Sequence, residues 1–388
     1  MTRSPDGLQF LLSAGEASGD IYGAQLVDAL RVLAPDARFF GMGGTQMRAA
    51  GCDLLVDAHE VAVVGLFEVV KHLPAIRKRF KQLVAEAERR KPDAAILIDF
   101  PDFNLRLARE LYRLGIPVFY FVSPQIWAWR TSRVKQIQKY VRKMIVIFPF
   151  EQDFYAKHGV DVTYVGHPLA YVPNSGINRP EFARKYGLDA GKNWIALLPG
   201  SRQKEVRLNV GAMLGSAQLI QASGKQFEYV LPLASTLERR WMQQQLSSVT
   251  LPVRITEDAR AAMMFARASV VASGTATVEA SLSGTPFVVV YRLSPLTWAL
   301  GRRMVKLDTF AMANLIAGKK VVPELIQAGF TPVSVVRELE RIIPDGPARS
   351  QMQNDLSEIR QRLRHPSSRE APAVQAAKVV LQAISQGI

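Results

Sequence analysis

Two doubly wound α/β domains, facing each other across a cleft, are the fold this sequence predicts. Three observations carry that expectation. Short apolar runs alternate with stretches of helical periodicity along most of the chain, the pattern of a parallel sheet flanked by helices. The alternation runs through twice, restarting at "NWIALLPGSR" (193–202) after a stretch near 166–180 that is rich in Pro, Gly and Asn. The length of 388 residues, 48% of them hydrophobic, suits two or three domains at about 100–200 residues each. The expected division is 1–172, 173–345 and a helical tail, 346–388.

In the first half, strands are expected near 8–13, 38–41, 94–98, 117–122, 144–148 and 162–165. In the second they follow the restart at 193, near 227–231, 252–255, 268–272 and 286–291. Ligands of such folds sit at the carboxyl ends of strands, so two facing domains put the active site between them. In the tail, Met352, Leu356, Ile359 and Leu363 recur at spacings of three and four, and a second helix runs from Ala371 to Ile384. Two arrangements stay open for these helices: crossing back to the first domain, or exchange with a neighbouring chain in a homodimer.

Composition narrows the function classes. Cys52 is the one cysteine, so no disulfide forms within the chain, which fits a reducing compartment. The first apolar stretch is too short for a signal peptide. No segment reaches the roughly 20 apolar residues of a membrane span; "VAVVGLFEVV" stops at Glu68 and Lys71, and "PFVVVYRLSPLTWALG" is cut by Arg292. The expected location is the cytoplasm, soluble or peripheral. The net charge of +15 attracts polyanions: nucleic acid, an anionic membrane or phosphorylated substrates. Single-stranded nucleic acid calls for basic residues interleaved with stacking aromatics. Here they cluster on helical stretches, "RKRFK" and "RVKQIQKYVRK", so nucleic acid is not expected. None of the five His residues pairs at ligand spacing, and no metal or other cofactor is expected.

Four loops leave predicted strand ends. The first, "GEASGD" (15–20), lacks the G-x-G-x-x-G spacing of dinucleotide sites, and Glu16 and Asp20 repel a diphosphate. Ser18 and Asp20 can cap the helix that follows; otherwise the loop suits a polyhydroxylated group such as a sugar. The second, "ILIDFPDFN" (96–104), carries Asp99 at the strand tip, a base aimed into the cleft, while Asp102 or Asn104 caps the next helix. The third, "LLPGSRQKEV" (197–206), joins Gly200, Ser201 and Arg202 at a helix start, an anion site. In the fourth, "ASVVASGTATVEAS" (268–281), Ser273, Gly274, Thr275, Ala276 and Thr277 have no acidic neighbour within the first turn and can cradle a diphosphate. Glu279 lies one turn further in, where its carboxylate accepts ribose hydroxyls or stays a surface acid. The diphosphate of a nucleotide sugar therefore belongs to the second domain and the acceptor to the first.

"SAGEASGDIYGAQL", "GMGG", "IDFPDFN", "SPQIWAWR", "FPFE", "GHPL", "LLPGSR", "ASGTATVEA" and "ANLIAGKKVVPELIQ" follow in this order from about residue 8 to 330. Together they resemble the lipid-A-disaccharide synthase family. That resemblance implies the GT-B architecture, two facing Rossmann-like domains. It implies a hexosyltransferase that joins UDP-2,3-diacylglucosamine to 2,3-diacylglucosamine 1-phosphate, giving a β(1→6) disaccharide of lipid A biosynthesis and UDP. On the matching motifs, Asp99 is implied as base, Arg202 as the arginine of the P-G-S-R motif, Glu279 at the ribose and Asn314 near the nucleotide. Glu16, Ser18 and Asp102 are assigned to the acceptor. Departures are local: Phe100 in I-D-x-P-D, Gln203 after the arginine and Ala313 before Asn314. No D-x-D signature is present, so Arg202 and the helix opening at Thr275 are expected to serve the leaving diphosphate without Mg²⁺.

Lipid substrates draw attention to "GLFEVVKHLPAIRKRFKQLV" (65–84). Leu66, Val69, Val70, Leu73, Ile76, Phe80 and Leu83 form one face, interrupted at Pro74; Lys71, Arg77, Lys78, Arg79 and Lys81 form the other. Such a segment suits the interface of the anionic inner-membrane leaflet on the cytoplasmic side, or packs on the sheet. A second candidate is "LTWALGRRMVKL", 296–307. The tryptophans of "SPQIWAWR" line an acyl or sugar pocket, or pack. The rival readings are another GT-B enzyme with a different acceptor, a UDP-sugar epimerase, and a non-catalytic anionic-lipid binder.

Overall fold

The computed structural model describes residues 7–60, 66–129, 131–173, 175–247, 250–294, 298 and 309–386. The chain forms two units. The first comprises Met1–Pro168 and Leu363–Ile388, the second Leu169–Arg362.

Unit 1 is built on β1 (Gln9–Ala14), β2 (Arg38–Gly43), β3 (Asp53–Asp57), β4 (Ala94–Ile98), β5 (Val118–Phe121), β6 (Lys143–Val146) and β7 (Val162–Tyr164). All are parallel, in the order β3-β2-β1-β4-β5-β6-β7. The central strands read as unbroken apolar runs because helices cover both faces. Leu11, Leu97 and Tyr120 enter one core with Leu83, Leu107 and Leu111. Leu12, Ile96 and Phe119 enter the other with Leu26 and Leu30. These alternate along each strand, as the pleat requires. Gly41 is obligatory: at φ +147°, a Cβ there would lie 1.9 Å from the Leu12 carbonyl oxygen.

The first four helices are α1 (Ala17–Leu33), α2 (Thr45–Ala49), α3 (Leu66–Arg90) and α4 (Pro101–Arg113). Side chains of α3 are described from Pro74 onward. There Leu83 is buried and Ile76 and Phe80 pack against the core beside it, with Phe80 edge-on to Phe103. The sequence left two places open for this face, a membrane interface or the sheet; these three residues take the second, because the sheet offers a deep apolar surface. Arg77, Lys78 and Lys81 are exposed. The side chains of 66–73 lie outside the described residues, as does the second candidate, 296–307, apart from Trp298. Among the described residues no helix is long and apolar enough to cross a membrane.

Unit 2 carries β8 (Asn193–Leu198), β9 (Phe227–Pro232), β10 (Val253–Thr256), β11 (Ala268–Ala272), β12 (Phe287–Tyr291) and β13 (Glu324–Ile326), parallel, in the order β10-β9-β8-β11-β12-β13. Strands β3 and β13 were not anticipated. Both are short edge strands, and "DLLVD" and "ELI" are too brief or too acidic to stand out. The helix Pro347–Arg362 buries Met352, Leu356 and Ile359, as their spacing predicts. The last helix, Pro372–Ser385, packs against α1 and places Ala373, Ala376, Ala377 and Val380 in the unit 1 core.

Candidate active site

Strand order reverses between β1 and β4 in unit 1, and between β8 and β11 in unit 2. These are the switch points where open α/β sheets hold ligands, at the carboxyl ends of the strands. The four loops singled out in the sequence leave those four strands. Glu16 and Ser18 follow β1, and Asp99 and Asp102 follow β4. Gly200, Ser201 and Arg202 follow β8, and the run from Ser273 to Glu279 follows β11.

In unit 1, Asp99 and Phe100 are both left-handed, with φ of +44° and +49°. That backbone costs a residue with a Cβ roughly 1–2 kcal/mol. Burial, and next the Glu16 carboxylate, push the Asp99 carboxyl up to about 6, while the Phe100 N–H draws it down. At neutral pH the group is thus mostly ionised yet poised to take a proton. The Phe100 ring lies where a Gly15 side chain would be; a Cβ there would stand 2.2 Å from it. Gly15 therefore lets the first loop close on the second, and the residue at which this chain departs from the motif does the packing. Glu16 is the exposed N-cap residue of α1, and Ser18 is exposed in its first turn.

Two expectations about helix caps are corrected. Neither Ser18 nor Asp20 caps α1, whose N-cap makes no side-chain bond. Asp20 is buried and instead accepts from the N–H groups of Gly44 (2.7 Å), Gln46 (2.9 Å) and Met47 (3.0 Å), the free donors that open α2. Neither Asp102 nor Asn104 caps α4: its N-cap is Phe100, with Pro101 at the first helical position. Asp102 is exposed on that first turn and paired with Arg133.

Sequence reasoning missed a buried polar cluster behind β5 and β6. Glu151 accepts from the Trp127 indole N–H at 3.2 Å and the Phe148 N–H at 3.2 Å, and Ser123 bonds the Tyr155 hydroxyl at 2.8 Å. Burial pushes the Glu151 carboxyl up to about 8. The signal was the Glu three residues past Phe148 at a helix start, a capping spacing. Trp127, held there, also packs edge-on to Phe150; the Trp129 side chain lies outside the described residues.

In unit 2, Gly200 has φ +127°, and a Cβ on it would come 2.8 Å from Glu205. The N–H groups of Ser201 (3.1 Å) and Arg202 (3.3 Å) donate to the Glu205 carboxylate. The anion expected at this helix start is thus supplied in part by the chain itself. Arg202 is exposed, with a guanidinium nitrogen 3.9 Å from Glu205.

The β11 loop differs. The helix Ala276–Ser283 opens at Thr275 with no side-chain cap, and Gly274, at φ +140°, faces open space. Thr277 is buried, and its hydroxyl donates to the Gly274 carbonyl at 2.7 Å, so it shapes the loop and has no hydrogen left to offer. Ser273 reaches the Phe310 carbonyl at 3.4 Å. Burial raises the Glu279 carboxyl, with Arg260 pulling the other way. No side-chain hydrogen bond to Glu279 is recorded among the described residues. Asn314, expected near the nucleotide, has its side chain bonded within the chain. Its amide oxygen accepts from Val321 N–H (2.7 Å) and Val322 N–H (2.9 Å), and its nitrogen donates to Val322 O (3.0 Å) and Glu324 (2.7 Å). That exhausts an amide's capacity, so the Asn314 side chain holds Glu324 and the β13 entry. Among the described residues no group of three or more His, Cys, Asp or Glu is placed to hold a metal ion.

A family model described as "Lipid-A-disaccharide synthetase" matches residues 10–379. The chain belongs to the lipid-A-disaccharide synthase family. A lipid-A-disaccharide synthase of Koribacter versatilis (strain Ellin345) is 54% identical over 377 residues, covering 96% of this chain and 98% of the relative. Among solved structures, the glycotransferase of kitacinnamycin superposes with a TM-score of 0.64 at 14% identity, covering 98% of this chain and 100% of that one. The UDP-GlcNAc 2-epimerase of Neisseria meningitidis bound to UDP-GlcNAc gives 0.61 at 12% identity, over 98% and 100%. At such identities these two speak to fold alone, and the fold is GT-B. As a lipid-A-disaccharide synthase family member, the chain is a glycosyltransferase that acts on nucleotide-sugar and lipid substrates.

Proposed function

We propose that this hexosyltransferase joins UDP-2,3-diacylglucosamine to 2,3-diacylglucosamine 1-phosphate with Asp99 as general base. The acceptor 6-hydroxyl oxygen attacks the anomeric carbon from the face opposite UDP. Its proton passes to the Asp99 carboxylate, the bond from the anomeric carbon to the UDP oxygen breaks, and UDP leaves with the electron pair. The configuration inverts to β. The observation that carries the reading is Asp99 itself, a half-buried carboxylate at a switch point, raised to about 6. A base with its pKa near the working pH contributes about 10²–10⁴-fold.

Unit 1 takes the acceptor, with Glu16 and Ser18 at its hydroxyls and Asp102 acting through its pair with Arg133. Unit 2 takes the donor. Gly200, Ser201, Arg202 and the Ser273–Thr277 loop serve the diphosphate, and Glu279 the ribose. Charge developing on the leaving diphosphate is met by Arg202 and the uncapped helix start at Thr275; each well-aimed donor is worth about 3–4 kcal/mol. Both substrates carry acyl chains, so the protein works at the cytoplasmic leaflet of the inner membrane. The exposed Arg77, Lys78 and Lys81 of α3 face its anionic lipid.

The test is UDP release by the purified chain with both diacylated substrates, with and without EDTA. Release that needs the acceptor and ignores EDTA is expected. Release without acceptor points to hydrolysis or an epimerase-like reaction, and a loss restored by Mg²⁺ refutes the metal-free mechanism.

A further inference from the structure

Asn104 sits in the first turn of α4, wholly buried. Its Oδ1 accepts the Ser13 hydroxyl at 2.7 Å. Its Nδ2 faces three main-chain oxygens: Asp99 at 2.8 Å, Ile98 at 3.2 Å and Ser13 at 3.2 Å. One amide thus ties the end of β1 to the end of β4, across the switch point. From β5, the Tyr120 hydroxyl donates to the same Asp99 carbonyl at 2.5 Å. That carbonyl therefore takes two side-chain donors, as many as it has lone pairs, and it belongs to a residue held left-handed.

Resting on the reading of Asp99 as the base, we propose that Asn104 is a positioning residue for the transfer: with Tyr120, it pins the left-handed backbone of Asp99 and so aims its carboxylate at the acceptor hydroxyl. Left-handed Asp and Phe in succession do not hold themselves, since each has a lower-energy backbone available. Two donors converging on one carbonyl remove that freedom. The residue type follows from the oxygens around it. An Asp at 104 has no hydrogen to give them when ionised, and a Leu has none at all. Tyr120 stays a donor at every working pH, because burial raises its hydroxyl well above the usual tyrosine value.

A purely structural tie makes different predictions from a positioning one. If Asn104 only joins β1 to β4, its loss lowers the folded fraction, and the molecules that remain turn over normally. If it aims Asp99, the folded enzyme itself is slow. The experiment uses the full chain with both diacylated substrates, reading kcat, KM and the pH dependence of kcat/KM beside thermal unfolding.

Asn104→Ala is expected to lower kcat roughly 10²-fold, the scale of a misplacement of about 1 Å, with KM for both substrates within about twofold, since binding contacts are untouched. Tyr120→Phe, which keeps the ring, is expected to lower kcat roughly 3–10-fold for one lost hydrogen bond. In both variants the acid limb moves to lower pH, because a loosened tip lets water reach the carboxylate. In an Asp99→Asn background, Asn104→Ala is expected to cost nothing further. The proposal is overturned if Asn104→Ala slows that background as much as it slows wild type, or if activity falls only in step with the folded fraction. Should Asn104→Ala fail to fold, Tyr120→Phe with wild-type kcat and acid limb overturns it. Undiminished turnover by Asp99→Asn sinks the base reading itself, an outcome distinct from these.

Discussion

Replacing Asp99 by Asn is expected to slow turnover and stabilise the protein together. The carboxyl is raised from 3.8 to about 6, chiefly by burial and then by Glu16. At 1.36 kcal/mol per pKa unit, this corresponds to about 3 kcal/mol. The sign follows from which state binds the proton. Below about pH 4 the group is protonated in both folded and unfolded chains, and it costs nothing. Between about pH 4 and 6 the unfolded chain gives up its proton while the folded one keeps it, so stability falls as pH rises. Above about pH 6 both are ionised, and the full cost of a buried charge is present. Asn matches the shape of Asp, carries no charge and cannot accept the proton. Turnover is expected to drop at least ~10²-fold, while stability rises by up to about 3 kcal/mol at pH 8 and hardly changes at pH 4. Denaturant unfolding at the two pH values, beside a UDP-release assay, reads both. A variant that keeps more than about a tenth of the wild-type rate would falsify the base assignment, since such a base is worth at least ~10²-fold. A stability difference that is the same at pH 4 and pH 8 would refute the electrostatic account of the site.

Glu16→Gln removes the like charge beside Asp99, so the acid limb of kcat/KM is expected to move to lower pH while staying above the usual carboxylate range, because burial remains; an unmoved limb removes Glu16 from the site. Glu279→Gln and Arg202→Ala are each expected to weaken UDP binding by roughly 10–100-fold, the scale of a hydrogen bond to a charged group. Calorimetry with UDP alone decides, and wild-type affinity in Glu279→Gln takes that loop out of the donor site. At the membrane, each basic residue near an anionic surface is worth roughly 1 kcal/mol, so an Arg77→Gln, Lys78→Gln, Lys81→Gln variant is expected to co-sediment less with phosphatidylglycerol vesicles. Wild-type binding itself is expected to weaken with salt; a triple variant that binds like wild type places the anchor elsewhere.

The central strands were legible because burial on both faces writes itself as an unbroken apolar run, as in Ala94–Ile98. Edge strands β3 and β13 have one such face or too few residues, and their sequences look like loops. The residue types at the four strand ends were legible too, and the order of motifs carried the family. Hidden were the partners. Nothing near Asp20 tells that its carboxylate serves Gly44, Gln46 and Met47, and Ser13 and Asn104 meet from 91 positions apart. A polar side chain in a loop reads the same whether it awaits a ligand or already holds the backbone. That ambiguity hid the bonds Asn314 makes to Val321, Val322 and Glu324 and left Glu205 unnoticed beneath Arg202.

The last helix has a consequence for how the protein is made. Its Ala373, Ala376, Ala377 and Val380 complete a core whose other members come from the first half of the chain. A ribosome adds about 5–20 residues per second. The stretch of about 200 residues between Pro168 and Pro372 therefore takes roughly 10–40 s to synthesise at that rate. Through that interval the nascent first unit has all seven of its strands but lacks the cover over α1, and its apolar surface is open to solvent and to chaperones. Unit 2 can finish before unit 1 does, so the order of completion inverts the order of synthesis. A stop codon near residue 370 would leave every loop of the candidate active site encoded and yet harm the half of the protein that was translated first.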